Sequence, residues 1–88
     1  MAADRHEQHQ ACRERFIELA NTMKNEGIGV DVVSWSLMSA SALHAIYSVA
    51  GNDGGLTQSG IEKIADAYKQ NLTKIQELKQ RQAQAGQQ

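Results

Sequence analysis

Apolar positions along this 88-residue chain fall into three stretches, each with helical spacing. In the first, Cys12, Phe16, Leu19, Ala20 and Met23 recur at three- and four-residue steps. That spacing sets them on one face of an amphipathic helix. Arg13, Glu14, Glu18 and Lys24 fall mostly on the other side. Asp4 and Glu7 have the spacing of a capping box, so the pattern predicts a helix over 4–25. In the third stretch, Ile61, Ile64, Ala65, Tyr68, Leu72, Ile75 and Leu78 form one stripe, and Lys63, Lys69, Gln70, Lys74, Glu77 and Lys79 lie off it. Ser59 and Glu62 repeat the capping-box spacing, with Thr57 as the rival cap, and predict a helix over 59–80.

The middle stretch, 31–50, is different in kind. Asp31 suits an N-cap, where its carboxylate faces the positive end of the helix. Val32, Val33, Trp35, Leu37, Met38, Ala40, Ala42, Leu43, Ala45, Ile46 and Val49 then cover most of the circumference. Ser34, Ser41 and Ser48, seven residues apart, leave a narrow polar stripe. A helix apolar nearly all round belongs at the buried centre of a fold or of an oligomer.

The chain has no proline, so its boundaries are set by glycine and caps. Gly27 and Gly29 separate the first two stretches, and Gly51, Gly54, Gly55 and Gly60 separate the last two. The connection around Gly27 is short enough to make its two helices antiparallel neighbours. The expected fold is all-α: a single domain over 1–80, a three-helix antiparallel bundle with the central helix most buried. The Gln/Ala-rich tail, 81–88, has helical propensity but nothing to bury, and is expected to fray.

Composition narrows the function classes. A net charge of -1, from 9 Lys+Arg against 10 Asp+Glu, lacks the basic excess of a domain built to neutralise nucleic-acid phosphates. One cysteine excludes an internal disulfide. No apolar run approaches the ~20 residues of a bilayer span, and the polar start, Met1 to Gln10, is unlike a secretory signal. These features predict a cytoplasmic protein with neither nucleic acid nor membrane as its partner. A chain this short buries a modest fraction of its surface, which favours self-association.

The run Phe16-Ile17-Glu18-Leu19-Ala20-Asn21 resembles the opening motif of a family of short bacterial helical proteins of unknown function. In that family an F-I-x-L-A-N stretch precedes a serine- and alanine-rich helix, an acidic linker and a helix with a late tyrosine. The resemblance covers about residues 15–72, with Ser34 to Ala45 and Tyr68 to Leu72 in the matching places. The family pattern carries an arginine where Ala42 stands here, and its linker and C-terminus are acidic rather than glycine- and glutamine-rich. The resemblance implies a helical fold and supplies no activity, cofactor or site residue.

Several constellations bear on chemistry. His6, His9 and Cys12 offer soft ligands for zinc or copper, and a small metal- or ligand-binding protein is the alternative function. On a helix, however, the first and last diverge by about 120°, and no fourth ligand is evident. His44 lies three and four residues from Ser41 and Ser48, but its helix offers no acid to orient the imidazole, and no elbow presents the serine. Gly51-Asn52-Asp53-Gly54-Gly55 lacks the spacing of a phosphate or calcium loop and fits turn chemistry. Lys69, Lys74, Lys79 and Arg81 are interspersed with acids, as on a solvated face. No catalytic residue and no cofactor is assigned.

Trp35, Met38, Leu43 and Ile46 are the candidate interaction residues, because Trp and Met concentrate in interface cores and two flanking helices cover only part of the central one. The functional expectation is a non-enzymatic protein-interaction or self-associating module, most simply a homodimer.

Overall fold

The computed structural model describes residues 4–51 and 55–86. Within them the chain is all-α, with three helices: α1 (Arg5–Asn25), α2 (Val30–Ala50) and α3 (Gln58–Gly86). The glycine loop expected at 51–58 lies partly outside the described residues. The backbone divides into two compact units, Met1–His44 and Ala45–Gln88, and the boundary falls within the continuous helix α2.

In the first unit α1 opens on the expected cap. Asp4 has extended backbone, and its Oδ1 accepts from the Glu7 N–H at 2.8 Å. The helix ends in a Schellman motif. Gly27 takes φ +96, its N–H donates to the Lys24 carbonyl at 3.0 Å, and the Ile28 N–H reaches back to the Met23 carbonyl at 3.2 Å. An L side chain is strained at this φ, so glycine here sets both the stop and the direction of exit. Helix α2 starts one residue earlier than its pattern suggested. The Gly29 carbonyl accepts the Val33 N–H at 3.1 Å, which moves Asp31 from the cap into the first turn. There the carboxylate still meets the positive helix end. It also closes over Gly29, where an added Cβ would sit 2.8 Å from Asp31 Oδ1. The covered residues of this unit, Ala20 and Met23 (half-buried) and Val33 (buried), flank the turn.

In the second unit α2 ends on Gly51, at φ +65, whose N–H donates to the Tyr47 carbonyl at 2.8 Å. This is the simpler left-handed cap. Thr57, not Ser59, starts α3: its Oγ1 accepts the Gly60 N–H at 3.1 Å and its carbonyl accepts the Ile61 N–H at 3.0 Å. Ser59 lies inside the first turn, so the Ser59–Glu62 box does not form at the cap. Leu56 sits over Gly60, with its Cδ2 3.4 Å from where a Cβ would be. Half-buried Ala45, Ala50, Leu56, Gly60 and Ile64 are the covered residues of this unit. The third helix continues to Gly86, past the Gln80 boundary that the pattern suggested. Arginine, glutamine and alanine are all strong helix formers, and propensity alone carries the last turns.

Among the described residues Val33 alone is buried, at 7% exposure. The estimate of apolar length for α2 is corrected. Serines and His44 interrupt its apolar runs, yet α2 as a whole, 21 residues with Asp31 as its one Asp, Glu, Lys or Arg, is long and apolar enough, by length and composition, to cross a membrane.

Candidate interaction face

The four residues singled out on α2 are all open to solvent. Trp35 is 67% exposed, Met38 56%, Leu43 71% and Ile46 38%. Val32 and Val49 are exposed beside them. At about 100° per residue, Trp35, Met38, Ala42, Ile46 and Val49 fall within an arc of about 80° along α2, with Val32 and Leu43 on its flanks. Buried Val33 points about 160° away from Trp35. The side of α2 that is covered near the turn and the Trp35 stripe are therefore opposite sides of one helix. Sequence reasoning found the central residues of this stripe but passed over Val49, which lies one turn beyond Ile46.

The polar residues of α2 are quieter than their number suggests. The Ser48 Oγ donates to the Ala45 carbonyl at 3.0 Å, within its own helix. Thr22 and Thr73 do the same on α1 and α3, donating to Glu18 and Lys69 carbonyls at 3.0 and 2.9 Å. A hydroxyl bonded in this way satisfies itself locally. The Ser48 hydroxyl proton is thus directed at its own helix backbone.

The N-terminal ligand candidates do not converge. His6, His9 and Cys12 all lie on α1, with Cys12 an exposed free thiol. Among the described residues no three His, Cys, Asp or Glu side chains are placed to hold one metal ion. Six residues of helix turn the first ligand about 120° away from the third.

The other two helices carry exposed stripes of their own. Phe16 and Leu19 on α1 are more than half exposed, as are Tyr68, Leu72 and Leu78 on α3. The feature shared by all three helices is apolar surface laid out for helix packing.

Comparison with protein-family models, with curated proteins and with solved structures gave no match for this chain.

Proposed function

We propose that this chain is a non-enzymatic helical interaction module, soluble in the cytoplasm, whose α2 stripe is covered by protein from outside the chain. In the complete assembly the three helices form an antiparallel bundle with α2 at its centre. The observation that carries this reading is the exposure of Trp35, Met38 and Leu43 on a helix that is otherwise nearly uncharged. Contiguous apolar surface of this kind marks interaction sites. Fully covering a Leu or Met side chain is worth about 1.5–3 kcal/mol, so a partner over this face gains several such contributions.

A bilayer is the competing cover, because α2 has the length for it. Against it stand His44 and five serines within the 21 residues. Ionisable residues are rare in membrane-spanning helices and need a polar cavity or a partner there.

Acrylamide quenching of Trp35, the sole tryptophan, tests the reading in detergent-free buffer over a dilution series. Cover from outside the chain predicts shielded Trp35 at high concentration and open Trp35 on dilution. Shielding that persists unchanged in a monomer at every concentration overturns the reading, since the chain then covers its own face. Flotation with lipid vesicles, with Trp35 shielded only there, transfers the face to the membrane.

A further inference from the structure

We draw no further inference here: the strongest candidate, the exposed apolar face of α2 around Trp35, Met38 and Leu43, carries nothing beyond the reading already given, because nothing in the structure shows what covers it.

Discussion

At the scale of single residues, the caps were the most legible feature. Asp4 could be assigned as a cap from its three-residue spacing to Glu7, and its carboxylate bonds the Glu7 N–H as that spacing requires. Thr57 and Ser59 were harder to separate, because both stand just before an apolar stripe and both are good caps. The structure separates them by the Gly60 N–H, which donates to the Thr57 Oγ1 at 3.1 Å, with Leu56 packed over Gly60 beside it. Thr57→Ala is therefore expected to cost about 1 kcal/mol of stability, while Ser59→Ala costs a few tenths at most as a substitution inside the first turn. Thermal unfolding followed by circular dichroism separates the two; equal losses would return the cap to Ser59. Gly27→Ala faces a different penalty. Its φ of +96 is strained for any L residue, and the expected loss is about 1 kcal/mol or more. The neighbouring Gly29→Ala would have to displace the Asp31 carboxylate.

At the scale of elements, all three helices were readable from periodicity, and their ends less so. The start of α2 was misplaced by one residue because a good capping side chain, Asp31, outweighed the backbone preference of Gly29 in the sequence reading. The end of α3 was placed too early because nothing after Leu78 is large and apolar, and a stripe defined by burial has nothing left to follow. Propensity continues where packing stops. Residues 81–86 are helical and exposed, so deleting everything after Gln80 is expected to lower stability by less than about 0.5 kcal/mol. A larger fall in melting temperature would show that these turns are covered in the assembly. The candidate face was legible in part for the same reason. Apolar residues on every side of α2 announced a covered helix, but periodicity alone does not say which side its own chain covers. The burial of Val33 opposite Trp35 supplied that direction.

At the scale of the whole molecule, the question is where stability comes from. Among the described residues Val33 alone is buried, a small hydrophobic gain to set against backbone ordering entropy of about 1–2 kcal/mol per residue. Cover from outside the chain ties folding to concentration by mass action. The melting temperature is accordingly expected to rise with protein concentration, and a tenfold dilution is expected to lower it measurably in calorimetry. A melting temperature independent of concentration would mean that the chain is stable by itself. Trp35→Ala removes the largest side chain of the stripe and is expected to cost about 3–5 kcal/mol if the indole is fully covered in the assembly.

The hydrogen bonds that define the caps and turns span at most five residues of sequence, the longest running from Ile28 to Met23. Such short separations have a consequence in time. Helices and tight turns close without bringing distant parts of the chain together, so they form within microseconds. Meeting a partner requires diffusion and slows as the solution is diluted. Refolding should therefore divide into a fast rise of helical signal that is indifferent to dilution and a later, second-order change at Trp35. The two signals, recorded together in a stopped-flow experiment, would place on one clock the structure that the chain makes alone and the structure that it makes in company.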